Sequence, residues 1–131
     1  MTQNAIGLIL MRQLASHLAT PTFVVDADGS LLFYNESAGK LLGYPYQEAG
    51  DLPIQAWSVA FKPMRENGEE VRAEDLPLTI ALREGRPAYL APLYIVGLDD
   101  VWRKIAVTAF PLDGQQGRQL GAVALFSEMK D

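Results

Sequence analysis

Apolar residues at regular intervals predict a helix at the start of the chain. They recur every four residues, at Ile6, Leu10, Leu14 and Leu18. This spacing favours a helix over residues 2–19, which ends before Pro21 because proline disfavours helical geometry in the residue that precedes it. Only a narrow arc of this helix is polar, so its apolar surface needs more than one contact. We expect it to cover a sheet and to meet a second copy of the chain, with these four residues as the dimer interface.

The pattern then changes to two short runs of β-branched and aromatic residues. Residues 23–25 and 31–34 are separated by a segment that contains an Asp-Gly step, which predicts a β-hairpin. Asn35 follows, directly before residues 36–43. An Asn side chain can cap the free N–H groups of a helix, and Gly43 can close it in the left-handed conformation. A short capped helix is therefore expected.

Prolines and glycines interrupt the middle of the chain, so residues 44–68 are expected to form turns and short helical pieces. A further helix is indicated after them. Glu74, Asp75 and Pro77 suit its first turn, and Gly85 ends it.

The last third of the chain predicts three antiparallel strands. Residues 88–96, 101–112 and 120–126 are strand-like and are joined by hairpin-length loops. Pro92 cannot donate to a neighbouring strand, so we expect it at a sheet edge or a bulge. The final strand is apolar on both faces, and such a strand must be covered on both.

These elements predict an α+β architecture: a five-stranded antiparallel sheet with short helices on one face and the N-terminal amphipathic helix on the other. We expect residues 1–20 to form the capping or dimerisation helix, residues 21–128 the domain, and residues 129–131 a tail. A chain of 131 residues fits one such domain.

Composition and charge exclude several classes of function. A net charge of -5 leaves no broad basic surface, which argues against nucleic acid as a partner. The absence of cysteine removes disulfides, thiolate nucleophiles and thiolate metal sites, and a single histidine nearly removes zinc enzymes. The apolar run near the N-terminus is too short to span a bilayer and lacks a cleavage site, so no membrane association is expected and the cytoplasm is the default compartment.

Catalytic motifs are missing from the sequence. It contains no phosphate-binding glycine loop, no Gly-x-Ser-x-Gly elbow and no cluster with metal-ligand spacing. The acidic pairs Glu69-Glu70 and Glu74-Asp75 are better explained as loop and helix-start charges than as an acid–base pair. We interpret the protein as a non-enzyme with no catalytic residues and no metal site.

Several short motifs resemble those of PAS domains, the sensory and interaction modules of signalling proteins, in particular those of bacterial sensor kinases. These are Asp26-Ala27-Asp28-Gly29, Asn35-Glu36-Ser37-Ala38, Leu41-Leu42-Gly43-Tyr44, Leu76-Pro77-Leu78 and Phe110-Pro111-Leu112-Asp113. No single motif is specific, but their order and spacing resemble the family from about Leu14 to Glu128. The Asp-Ile-Thr type ending of PAS domains that precede a kinase is echoed only by Glu128, so the chain is either a stand-alone module or a piece of a larger receptor.

The resemblance also bears on cofactors. The light-sensing flavin subclass of PAS domains needs a cysteine beside the flavin ring, and this chain has none. PAS domains that bind haem commonly supply an axial histidine from the helix that corresponds to residues 75–84, where none occurs. A cysteinyl-flavin is therefore excluded, haem is disfavoured, and the cofactor, if any, is unknown.

The resemblance implies a sensory role. We expect a small, uncharged or amphipathic molecule to bind between sheet and helices and to shift the N-terminal helix or a dimer. The expected lining residues are Val25, Tyr44, Trp57, Leu78, Leu82, Val107 and Val123; Trp102 and Tyr94 are further aromatic candidates. Each of them could instead be plain core.

Two alternatives stay open. In the first, the chain is a ligand-free PAS module that acts through homodimerisation, with a histidine kinase or regulator as a possible partner. In the second, it is a small α+β enzyme of another family, which would require a cavity with an unpaired carboxylate.

Overall fold

A computed structural model describes residues 3–43, 62–97, 99–114 and 119–129, and the side chains from residue 9 onward. Helix α1 spans Gln3–His17 and is followed by strands β1 (Thr22–Asp26) and β2 (Leu31–Tyr34). Helix α2 spans Glu36–Leu42, a single 3-10 turn spans Ala73–Asp75, and helix α3 spans Pro77–Glu84. Strands β3 (Ala88–Val96), β4 (Trp102–Asp113) and β5 (Gln119–Glu128) follow in the described part of the chain.

The five strands form one antiparallel sheet in the order β2-β1-β5-β4-β3. The predicted α+β class and antiparallel sheet are confirmed. Strand β3 is an edge strand, and its register with β4 shifts between Leu90 and Leu93. Pro92 lies inside that shift, where its missing N–H costs no ladder hydrogen bond, as predicted.

The local signals in the sequence produce the expected turns and caps. Asp26 accepts hydrogen bonds from the backbone N–H groups of Asp28 and Ser30 and so closes the β1–β2 hairpin. Asn35 caps α2, and Gly43 ends that helix with φ 74°. Pro77 occupies the first turn of α3, and Gly85 ends it with φ 64°.

The two faces of the sheet are covered to different extents. Residues on one strand point alternately to opposite sides, and Thr108 of β4 is exposed on the back face. The front face packs against α2 and α3 and carries the main core, which includes Phe23, Ile105 and Val107. Helix α1 contacts β1, β2 and β5 on the back face. There Val24 and Val123 lie opposite each other in the ladder and are fully buried, as is Ala15 of α1.

Candidate functional site

A cavity of about 70 Å³ lies between α3 and the front face of the sheet. Its described walls are almost entirely apolar. They comprise Phe23, Leu42, Pro63, Leu76, Pro77, Leu78, Leu93, Ile95, Ile105, Val107, Ala124 and Phe126. We call this space the cavity.

Small side chains on β5 help to leave this space open. Ala122 and Ala124 occupy alternate front-face positions of the strand and are almost fully buried. On the neighbouring strands, Ile105 and Val107 of β4 and Leu93 of β3 supply larger apolar walls. Ala124 is the smallest of the described residues that line the cavity, and larger side chains flank it on the neighbouring strands.

The structure brings only some of the predicted lining residues to the cavity. Leu78 and Val107 line it. Val25 belongs to the buried core on the front face, and Leu82 packs against that core. Neither residue lines the cavity. Tyr44 and Trp57 fall outside the described residues.

Val123, which the sequence predicts at the ligand site, does not line the cavity. It is fully buried, but on the back face with Val24, because its neighbours Ala122 and Ala124 occupy the front. Because consecutive residues of β5 are all apolar, the sequence does not indicate which of them face the front of the sheet and which face the back. Trp102 also does not line the cavity: its exposed fraction is 52%, and it lies beside a surface groove.

Other wall residues were missed by the sequence interpretation. Leu93 and Ile95 alternate along β3, and Ile105 stands two residues before Val107 on β4. This period-two pattern was the available signal for them. Phe126 was missed because only the pairing of β5 shows which way it points.

The surface groove has a volume of about 610 Å³ and opens between α2 and the ends of β4 and β5. It is lined by Thr20, Pro21, Ser37, Lys40, Leu41, Val101, Trp102, Arg103, Phe126, Ser127 and Glu128. Both hydroxyl groups and charges of either sign reach it. We call this space the groove.

An ion pair fixes one side of the groove. Arg103 donates two hydrogen bonds to the carboxylate of Asp99, at 2.9 and 3.2 Å. The hydrogen bond from Arg103 lowers the pKa of Asp99, and the same bond, aided by the charges of Asp99 and Glu128, raises the pKa of Arg103. The Asp99 carboxylate rests against Gly43 and Gly97, where a Cβ atom would collide with it. The pair thereby connects the β3–β4 loop to the end of α2.

Asn35 connects three elements through a buried side chain. Its Oδ1 accepts hydrogen bonds from the backbone N–H groups of Thr22 and Ala38, each at 3.0 Å. Its Nδ2 donates to the carbonyl oxygens of Ala15, Leu18 and Thr20, at 2.9 to 3.2 Å. Asn35 therefore holds the C-terminal end of α1 against β1 and α2, beyond the capping role expected from the sequence.

Two of the predicted dimer residues, Leu10 and Leu14, form an exposed apolar strip along α1, and Leu18 follows directly after the last residue of the helix. The exposed fractions of Leu10 and Leu14 are 58% and 55%, and Leu18 and Ile9 are also exposed. The side chain of Ile6 lies outside the described part of the chain. Within the chain the strip is not covered by the sheet, because Ala15 occupies the buried side of the helix.

The described residues contain neither a cluster of metal ligands nor a helix that could span a membrane. No group of three or more His, Cys, Asp or Glu side chains there could hold a metal ion. Within the same ranges, no helix combines the length and the apolar character needed to cross a bilayer.

The strand order, the three helices and the cavity between α3 and the sheet define a PAS fold. A family model described as the PAS fold matches residues 9–54. The resemblance inferred from the sequence motifs is thus confirmed.

Solved structures with this fold include PAS domains of signalling proteins. The PAS domain of nitrogen regulation protein NR(II) from Vibrio parahaemolyticus is 16% identical, with a TM-score of 0.64; the match covers 92% of this chain and 98% of that one. The Rhodobacter sphaeroides LOV protein is 15% identical, with a TM-score of 0.74, over 95% of this chain and 68% of that one.

A PAS domain from a two-component sensor histidine kinase is 8% identical, with a TM-score of 0.59, over 97% of this chain and all of that one. No curated protein sequence matches the chain significantly. At these identities the similarity establishes the fold, which is typical of sensory and signalling modules.

Proposed function

We propose that the protein is a sensory module whose cavity binds a small apolar or amphipathic molecule. The observation that supports this most strongly is the cavity itself. A well-packed protein leaves few spaces larger than a water molecule next to its core, and this partly open space of about 70 Å³ with apolar walls exceeds that size. Such a space is a site that a small apolar group can occupy at little desolvation cost.

The size of the cavity limits the ligand. An apolar protein cavity of about 150 Å³ binds benzene. Benzene has six carbon atoms, so a cavity of about half that volume holds an apolar group of roughly three carbon atoms. The present cavity measures about 70 Å³. The ligand we propose is accordingly a short-chain molecule or a small apolar gas.

Strand β5 offers a route from the cavity to α1. Ala124 faces the cavity, whereas its neighbour Val123 packs on the back face against which α1 lies. A molecule that displaces Ala124 would shift Val123 with it, because the two residues share one strand. In this proposal ligand binding changes the packing of α1, and the fold relays the signal without catalysing a reaction.

The downstream partner in this proposal is a histidine kinase or a response regulator. It is supported by the fold shared with a sensor histidine kinase PAS domain. The cytoplasm is the compartment we propose for this exchange.

Xenon and methyl-labelled protein provide the test of ligand binding. We expect dissolved xenon to shift the methyl NMR signals of Leu78 and Val107, which line the cavity. The substitution Ala124→Val should weaken xenon binding at least about tenfold, because the added methyl groups occupy the space that xenon needs.

Thr108→Val is the matched control for this experiment. Thr108 is exposed on β4, so the substitution adds apolar bulk to the sheet without reaching the cavity. Its xenon affinity should equal that of the wild type. If xenon leaves the methyl signals of Leu78 and Val107 unmoved in the wild type, the sensory proposal fails.

A second candidate function is homodimerisation through α1. It is supported by the exposed strip of Leu10 and Leu14, which Leu18 follows, since large apolar side chains that recur on one side of a helix form interfaces between helices. This function requires no ligand.

We predict that the double substitution Leu10→Glu and Leu14→Glu halves the mass of the protein in solution, because four buried charges would face each other in a dimer. Sedimentation equilibrium measures this directly. Gln13→Glu with Ser16→Glu, at exposed positions on a side of the same helix that the leucines do not occupy, controls for the added charge and should leave the mass unchanged. An unchanged mass in the leucine double variant contradicts the dimer.

A further inference from the structure

The groove and the cavity adjoin each other at one side chain. Among the described residues, Phe126 is the one that lines both. On α2, the consecutive residues Leu41 and Leu42 line the groove and the cavity respectively. The groove is therefore positioned as an outer chamber in front of the cavity, with Phe126 between them.

Phe126 is less enclosed than the buried residues of the core. It is only partly buried and packs against the core rather than within it. Its ring contacts Phe23 at a centroid distance of 6.2 Å and an interplanar angle of 59°. A rotation about its side-chain torsions would join the two spaces, and rotamer changes of partly exposed side chains are fast.

The chemistry of the two spaces differs. The cavity is apolar, whereas Ser37 and Ser127 bring hydroxyl groups to the groove and Lys40, Arg103 and Glu128 bring charges. A molecule that spans both spaces needs a short apolar tail and a head that forms hydrogen bonds.

The cations of the groove are already balanced by acidic groups. The Nη2 atom of Arg103 lies 2.9 Å from Oδ2 of Asp99. The Nζ atom of Lys40 lies 3.7 Å from Oε1 of Glu36. Glu128 adds a further negative charge. The groove thus offers no excess of positive charge for an anionic head group, and an uncharged hydroxyl or amide head fits it better.

We propose that Phe126 is a gate through which a short-chain alcohol or amide enters, with its tail in the cavity and its polar head in the groove. This inference rests on the proposed sensory function of the cavity. Phe126 also sets the length limit of the tail, because its ring stays beside the bound molecule and occupies space where the cavity meets the groove.

NMR titrations with 1-butanol and 1-hexanol test the gate. In the wild type, 1-butanol should shift the cavity methyl signals of Leu78 and Val107 together with the groove amide signals of Lys40 and Ser127. 1-Hexanol should bind no more tightly than 1-butanol. In Phe126→Ala the barrier is removed, so each extra CH₂ should strengthen binding about fourfold. 1-Hexanol should then bind at least about tenfold more tightly than 1-butanol.

Two variants complete the design. Leu125→Ala truncates the adjacent, partly buried residue on the back face of β5 and should retain the length limit of the wild type. Phe126→Leu keeps an apolar side chain at the gate, which preserves the fold, and should relax the limit in part.

The outcomes separate the gate from the sensory function. If the cavity methyl signals move while the groove amides do not, or if Phe126→Ala and Phe126→Leu both keep the length limit of the wild type, the gate is wrong and the cavity proposal stands. If xenon leaves the cavity methyl signals of the wild type unmoved, the sensory proposal fails and the gate, which rests on it, fails as well. If xenon moves these signals and 1-butanol does not, the gate alone is wrong.

Discussion

Replacing Asn35 by aspartate is expected to lower the free energy of unfolding by about 4 kcal/mol, among the largest effects of a single substitution. The amide of Asn35 donates to three backbone carbonyl groups, at Ala15, Leu18 and Thr20. A carboxylate oxygen in its place cannot donate. It would face these carbonyl oxygens in a buried position, where an uncompensated charge is costly.

The matched variants for this prediction are Asn35→Ala and Asn67→Asp. Asn35→Ala removes the same hydrogen bonds without adding a charge and should cost about 3 kcal/mol. Asn67 accepts one hydrogen bond in an exposed turn, so Asn67→Asp should change stability by less than about 0.5 kcal/mol. Urea unfolding measures all three. A loss below 1 kcal/mol in Asn35→Asp would show that the buried connection between α1, β1 and α2 contributes little.

The second large effect is expected for Gly121→Ala, which should lower the free energy of unfolding by about 4 kcal/mol or prevent folding. Gly121 lies opposite Asp26 in the β1–β5 ladder, with φ 157°. A Cβ atom there would overlap the backbone carbonyl oxygen of Val25. Since a backbone atom cannot turn aside as a side chain can, β1 and β5 would have to separate.

Gly68→Ala separates the steric effect from backbone strain. Gly68 also has a positive φ, 88°, but no atom lies within 4 Å of a Cβ placed there. Its substitution should cost only about 1 kcal/mol, the conformational part alone. Thermal unfolding of both variants tests this difference. Equal losses in Gly68→Ala and Gly121→Ala would mean that the close approach of β1 to β5 has no energetic role.

Much of the fold could be predicted because its signals are local. The capping of α2 by Asn35 depends on a few consecutive residues, and the displacement of Pro92 to an edge strand follows from its missing N–H group. The sequence contains both signals in full. The same holds for the hairpin turn at Asp26, where one side chain satisfies two backbone donors.

The candidate site was harder to predict because it depends on which face each strand residue takes. In β5 all residues from Ala122 to Phe126 are apolar, so no polar position marks the front or the back. Only the pairing with β1 and β4 assigns Ala124 to the cavity and Val123 to α1. The Asp99–Arg103 pair was missed for a related reason, since its position against Gly43 joins residues far apart in sequence.

The proposed sensory function depends most on the cavity as a place where a molecule can bind. The most direct measurement is a crystal structure of the protein under xenon pressure. We predict a single strong xenon peak in contact with Leu78, Leu93 and Val107. A cavity whose walls have closed together, with no xenon beside these residues, would contradict the account.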